Sequence, residues 1–325
     1  MKKWMKLTAT MMAAAMALTA CGGGEAAEGE ASADAYTVGI VQQMEHPALD
    51  AATKGFQEKL TELLGEDKVV FDYQNAQGEQ TNCTTIATKF VSNDVDLIMA
   101  NATTALQSAA AATADIPVIG TSVTDYETAG VVESAEAPGK NVTGVSDLAP
   151  IDQQIALLQQ LVPDAKKVGI IYCSAEPNSQ FQSKLAQAEL DKANLAWAEY
   201  TAADSNEVQS VVTKAASECD VLYIPTDNVM ANNTEIIKNI AVPAGIPVIA
   251  GEENLCKGCG VATLSISYYD LGAKAAEMAY EILVNGANPA EMPIGYVSEG
   301  VVAKYNAEIV QALQMTVPED LVPIE

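Results

Sequence analysis

From residue 36 onward, short apolar runs alternate with longer stretches whose apolar positions return every three or four residues. Residues 36–41 (YTVGIV) predict a buried strand. Beyond Pro47, residues Ala48, Ala51, Ala52, Phe56, Leu60, Leu63 and Leu64 recur at helical spacing. Residues 69–73 predict the next strand and 81–92 a helix. Strand 96–100 runs into Asn101-Ala102-Thr103-Thr104 and an Ala-rich helix, and 117–120 (PVIG) is a fourth strand. Strands that alternate with helices in this way imply βαβ units and a parallel sheet.

The pattern then restarts. Residues 167–172 (KVGIIY) mirror 37–41, and a helix follows near 179–193. Strand 196–200, helix 205–217 and strand 220–224 come next, and 247–250 (PVIA) repeats the Pro-Val-Ile of the first half. Two successive halves of this kind predict two similar α/β lobes. Near the C-terminus, 261–266 reads as a strand, 269–284 as a helix, 292–297 as a strand and 308–313 as a helix. The expected division is residues 36–145 with 256–290 as one lobe, and 146–255 with 291–325 as the other. That order crosses between lobes about three times and would form a hinge.

The first residues change the picture of where the chain resides. Lys2, Lys3 and Lys6 precede an uncharged Ala/Met/Leu-rich stretch that ends in Leu18-Thr19-Ala20-Cys21. Residues 1–20 predict a secretory signal, and the small residues before Cys21 predict cleavage there with lipid on that cysteine. Residues 21–35 carry Gly, Ala, Ser and Glu with no apolar period and predict a flexible tether. A lipid on Cys21 would hold the protein to the outer face of the cell membrane.

The formal charge is −26, more negative still without the leader lysines, so nucleic acid and anionic headgroups are excluded as partners. All seventeen basic residues are Lys. With no Arg, bidentate guanidinium recognition of an anion is closed to this chain. With Cys21 lipidated, Cys83, Cys173, Cys219, Cys256 and Cys259 remain. The Cys256-Lys-Gly-Cys259 spacing fits a local disulfide or two free thiols on a turn better than a metal, since the single His46 lies far away in sequence. No metal or cofactor is expected. No nucleophile elbow or P-loop is present, and His46 before Pro47 reads as a helix start, so catalysis is not expected.

In open parallel sheets, ligands bind beyond the carboxyl ends of the strands. Here those turns carry Gln43, Glu45, Asn101, Thr103, Thr104, Thr124 and Asp125 in the first half, and Ser174, Asn178, Ser179, Asp227 and Glu253 in the second. Each one alone also fits a helix N-cap. Together they predict one polar cleft between the lobes. Thr103, Thr104 and Ser179 at helix starts suit a carboxylate. An ammonium would take Asp227 first and Glu253 second. Tyr126 and Tyr268 beside these turns are candidates for stacking on an aromatic ligand.

At these turns the chain resembles the ABC-transporter substrate-binding lipoproteins of the tryptophan/tyrosine-uptake type. The resemblance rests on Val38-Gly-Ile-Val-Gln42, Glu45-His46-Pro47-Ala-Leu-Asp50, Gly55-Phe56, Asn75-Ala-Gln-Gly78, Ala102-Thr103, Val123-Thr-Asp125 and Asn141-Val-Thr-Gly144. Glu176-Pro-Asn-Ser179, Pro225-Thr-Asp-Asn228, Ala262-Thr263 and Tyr268-Tyr-Asp-Leu-Gly272 complete it. It implies a type I periplasmic-binding fold, an aromatic amino acid as ligand, permease and ATPase subunits as partners, and a monomer. Thr104 stands where such proteins often have Pro, and Ser267 where they often have Asp. A sugar or nucleoside binder, or a sensing receptor or adhesin on the same fold, is the alternative reading.

Overall fold

The computed structural model describes residues 35–297 and 301–324. The leader, Cys21 and the tether as far as residue 34 lie outside the described residues.

The first half supplies β1 (Tyr36–Gln42), α1 (Pro47–Leu64), β2 (Val69–Asn75), α2 (Gln80–Ser92), β3 (Leu97–Asn101), α3 (Thr103–Ala112), β4 (Val118–Val123) and β5 (Val142–Ser146). The second supplies α4 (Ile151–Leu161), β6 (Lys167–Cys173), α5 (Pro177–Lys192), β7 (Ala196–Ala202), α6 (Val208–Glu218) and β8 (Val221–Ile224). It continues with α7 (Asn228–Ala231), α8 (Thr234–Ala241), β9 (Val248–Ala250), α9 (Glu253–Cys259) and β10 (Ala262–Ser265). Then come α10 (Tyr268–Asn285), β11 (Gly295–Tyr296), β12 (Val302–Tyr305), α11 (Ala307–Ala312) and β13 (Val322–Pro323).

One sheet has the order β11-β5-β4-β3-β1-β2, the other β13-β12-β10-β9-β8-β6-β7. Read in chain order, both cores are wound 2-1-3-4-5, which makes the repeat inferred from the two PVI strands a repeat of topology. Every pairing is parallel except β10 with β12. Strands β3, β4 and β5 are buried at every position, as expected where helices cover both faces. Val38, Ile40, Phe56, Leu60 and Leu271 pack one face of the first sheet, and Val41, Phe90, Ile98 and Leu106 the other.

The chain crosses between lobes three times, as the order of elements suggested, but at different points. Strand β10 pairs with β9 and β12 in the second sheet, and β11 pairs with β5 in the first. Residues 256–265 therefore belong to the second lobe and 291–297 to the first, a correction to the expected division. A buried β-branched strand fits either sheet equally well, so composition could not assign it; hydrogen-bond register does. The crossings run from β5 to α4, from β10 to α10 and from β11 to β12.

Candidate functional site

In a 2-1-3-4-5 sheet the order reverses between strands 1 and 3, and the loops there part to leave a crevice. The first lobe brings the ends of β1 and β3 to this point, and the second brings the ends of β6 and β8. The two crevices face each other. His46, Ala48, Leu49 and Ser122 from the first lobe meet Asn178, Thr226, Asp227, Asn228, Ala231 and Glu252 from the second, and Asp147 and Tyr268 on two crossovers close the side. This inner cavity has a volume of about 10 Å3, room for about one water. His46 and Ala231 also border a wider outer groove of about 1150 Å3 along the lobe boundary.

Two side-chain hydrogen bonds join the lobes, one at the inner cavity and one among the residues around it. His46 Nε2 meets Asn228 Oδ1 at 3.1 Å, and Gln182 Nε2 donates to Thr124 Oγ1 at 3.3 Å. Thr124 donates to Asp147 Oδ1 at 2.9 Å, and Tyr268 donates to Asp147 Oδ2, also at 2.9 Å. Gln182 is held in turn by Thr226, whose hydroxyl donates to Gln182 Oε1 at 2.6 Å.

The electrostatics are one-sided. Asp147, Asp227 and Glu252 line the cavity, each 3 % exposed or less, with Glu176 buried close behind. Among the described residues, no lysine lines the cavity or the groove. Burial raises all four carboxyls above the ordinary range, Glu252 to about 7 and Glu176, with Asp227 as its charged neighbour, to about 8. Asp227 caps α7 by accepting from Met230 N at 2.8 Å, and it accepts from Cys173 N at 2.6 Å. Glu252 accepts from Asn254 N at 2.7 Å and from Leu255 N, capping α9. Burial lowers the His46 pKa to about 4, so its ring is neutral.

The residues expected from the sequence divide into four groups. Asn178, Asp227 and Tyr268 line the inner cavity, and Gln43, Glu45 and Thr104 line the outer groove. Thr103, Thr124 and Ser179 are buried beside them, Thr103 with an unpartnered Oγ1 and Ser179 accepting from Asn178 Nδ2 at 3.3 Å. Gln43 Oε1 is likewise buried without a partner.

Five expected residues are engaged elsewhere. Asn101 Nδ2 donates to Leu49 O at 2.8 Å and Thr53 Oγ1 at 3.0 Å, which ties α1 to the sheet. Asp125 Oδ1 accepts from Thr128 N at 2.6 Å within its own turn. Tyr126 points into the first lobe and donates to Val145 O at 3.1 Å, seated against Gly120 and Gly144 where any Cβ would collide with its hydroxyl. Ser174 is exposed and its N–H donates to Ala202 O at 2.9 Å. Glu253 pairs with Lys304 at 2.6 Å and leaves the cavity to its neighbour Glu252.

His46, Ser122, Thr226, Asn228 and Glu252 lie in the polar turns expected to face the cleft but are not singled out there by sequence, and Asp147 is not reached at all. Asp147 follows a strand the periodicity did not flag. Glu252 sits one position before the acid chosen, and helix capping decides between the two. Ser122 has φ 55°, a left-handed turn that leaves its Oγ buried and unpartnered. Cys256 and Cys259 are free, buried thiols on α9.

Residues 37–324 match the family described as ABC transporter substrate binding protein, and the chain belongs to that family. A Clostridioides difficile (strain R20291) protein named tyrosine-binding protein is 39% identical over 280 residues, 86% of this chain and 81% of its own length. The crystal structure of a Streptococcus pneumoniae ABC domain in complex with L-Trp superposes with a TM-score of 0.86 at 33% identity, covering 90% of this chain and all of that one. A ligand-free, open structure of a Clostridium difficile substrate binding protein with adhesive properties gives 0.69 at 37% identity, covering 89% of this chain and 99% of that one.

Proposed function

We propose that this ABC transporter substrate-binding protein captures an aromatic amino acid, tyrosine or tryptophan, between its lobes, with the one-water inner cavity widening toward the outer groove to admit it, and presents it to a permease. The observation that carries the reading is the cluster of buried carboxyl groups, Asp147, Asp227 and Glu252, with no cation among the described residues that line the cavity. Buried carboxyls lacking a counter-charge favour a ligand that brings one, and the ammonium of an amino acid does so. Its carboxylate would lie on the opposite wall, near the Ser122 hydroxyl and the α3 start, where Ala102 has φ 87° and no side chain caps the first turn. Asn178, Thr226 and Tyr268 would complete the contacts.

Two relatives support the aromatic class, one named for tyrosine and one solved with tryptophan. Hinge closure is supported by the same set. The tryptophan complex superposes better than the open, ligand-free structure, although the open one is closer in sequence. Binding would shift the open–closed equilibrium through contacts made only when the lobes meet, the His46–Asn228 and Gln182–Thr124 bonds. The protein would act as a monomer outside the cytoplasm, tethered through lipid on Cys21, with permease and ATPase subunits as partners. No helix among the described residues is long and apolar enough to cross a membrane.

A thermal-shift screen of L-amino acids against sugars and nucleosides tests the reading. Ligand at a hundredfold excess over Kd should add about 2.7 kcal/mol of stability. A shift with a sugar or nucleoside and none with any amino acid overturns it. A surface-adhesive role is a second reading, favoured by the adhesive relative, and loss of cell attachment on deletion of the protein is its test.

A further inference from the structure

His46 occupies a place that its role as the first residue before a helix does not explain. It borders both the inner cavity and the outer groove, is 6 % exposed, and meets the second lobe through Asn228. Which ring nitrogen carries the proton follows from the neighbours. Glu176 Oε2 receives Asn228 Nδ2 at 2.8 Å as well as Asn228 N at 3.1 Å. The amide nitrogen of Asn228 therefore faces the carboxyl, and its Oδ1 faces the ring. An oxygen there accepts only, so Nε2 must be the N–H.

Burial keeps the ring neutral, so Nδ1 is left as an acceptor. It is buried and has no partner among the described residues. It does not cap α1 either, since no side-chain bond is made to the first turn. A buried acceptor left unmet is costly, and the few that persist call for an explanation. A ligand ammonium is not the natural donor, because three carboxylates in the same cavity outcompete a neutral imidazole for it. What remains is a neutral donor, either a ligand group or the water that such a group would displace.

We propose that His46 Nδ1 reads the polar donor on the side chain of an aromatic amino acid, the phenol O–H of tyrosine or the indole N–H of tryptophan, and so discriminates against phenylalanine. This inference rests on the amino acid reading above and makes His46 both the seal between cavity and groove and the specificity-determining residue. A site built around such an acceptor rejects an analogue without the donor, because the acceptor then stays dry and unpaired.

The test is calorimetric binding of matched ligand pairs. L-tyrosine is compared with L-phenylalanine, and L-tryptophan with its benzothienyl isostere, in which sulfur replaces the indole N–H. Wild-type protein should prefer each donor-bearing partner by about tenfold or more. His46→Gln keeps an N–H where Nε2 lies but offers no acceptor at the Nδ1 position, and it should bring both ratios to within about twofold of one. His46→Asn keeps an acceptor near Nδ1 but loses the bond to Asn228; it should bind all ligands more weakly with the preference retained. Phenylalanine binding as tightly as tyrosine to wild type overturns the inference, a comparison that requires no variant to fold. Undiminished preference in His46→Gln overturns it as well. Failure of every aromatic amino acid to bind wild type would instead overturn the amino acid reading itself.

Discussion

Gln182 of the second lobe donates to the hydroxyl of Thr124 in the first at 3.3 Å, and that hydroxyl donates onward to Asp147 at 2.9 Å. The Thr124 hydroxyl thus links the two lobes into one buried polar network beside the cavity. Tyr268 joins the same carboxylate from the second crossover. Two of the three hinge segments and both lobes meet at one aspartate.

Replacing Thr124 by Val keeps the shape and removes the hydroxyl. Asp147 loses one of its two hydroxyl donors and Gln182 loses its interlobe acceptor, at a cost of about 1–2 kcal/mol. Most of that falls on the closed state, so ligand affinity should drop by about tenfold while Thr124→Ser restores it. Calorimetry on the three proteins checks this, and unchanged affinity in the Val variant would refute the latch.

Stability should fall as pH rises from 6.5 to 8. Glu176 has its pKa raised from 4.5 to about 8, chiefly by burial and then by Asp227. In that interval the folded protein holds a proton the unfolded chain has released, and raising the pH erodes stability, by on the order of 1–2 kcal/mol. His46 acts in the opposite sense only at lower pH. Its folded value of about 4 lies below the ordinary 6.5, so its contribution is present above 6.5 and lost as pH falls below it. Chemical denaturation of ligand-free protein at pH 6.5 and 8, with Glu176→Gln flattening the slope, is the measurement.

Ligand capture near neutral pH should release protons. Burial lifts Glu252 to about 7, and an ammonium placed beside it favours the charged form. Up to about half a proton should leave Glu252 on binding at pH 7. Calorimetry in buffers of different ionisation enthalpy reads this directly, and Glu252→Gln should reduce it. Binding with no buffer dependence would argue against an ammonium at these carboxylates.

Gly272→Ala should destabilise the first lobe and disturb the cavity wall, since Tyr268 lies one turn away on α10 and Ala48 and Leu49 of α1 line the cavity. Helices α1 and α10 meet backbone to backbone: a Cβ on Gly272 would overlap Ala52 O, and one on Gly55 would overlap Tyr269 O. Either helix must shift, costing about 3 kcal/mol and lowering Tm by roughly 5–10 °C. Ligand affinity should weaken as well, because the shifted helices carry Ala48, Leu49 and Tyr268, and calorimetry below the transition checks this.

The strands and helices of both halves were legible because each has a period that survives without its neighbours. Val38, Ile40 and Val41 mark β1 as surely as Ala52, Phe56 and Leu60 mark α1. What periodicity missed was short or shared. Strand β5 and helix α4 were not separated from the loop between the halves, and β12 is four residues long. Among the candidate site residues, Asn178, Asp227 and Tyr268 were reached by asking which polar turns follow strands. Tyr126 and Asn101 answer the same description and point inward, because Gly120, Gly144 and Leu49 O offer them partners that no linear spacing reveals.

The linear order of residues determined that this chain forms two parallel α/β halves, that arginine plays no part in its chemistry, and that polar turns crowd the carboxyl ends of its strands. All of these follow from local propensity and composition. Only the tertiary structure decided that β10 joins the second sheet, that Glu252 rather than Glu253 enters the cavity, and that Asp147 links both lobes. Those outcomes depend on contacts between residues up to 121 positions apart, as Tyr268 and Asp147 are. The free energy that selects such contacts comes from burial and hydrogen bonding across elements, which no short stretch of sequence carries by itself.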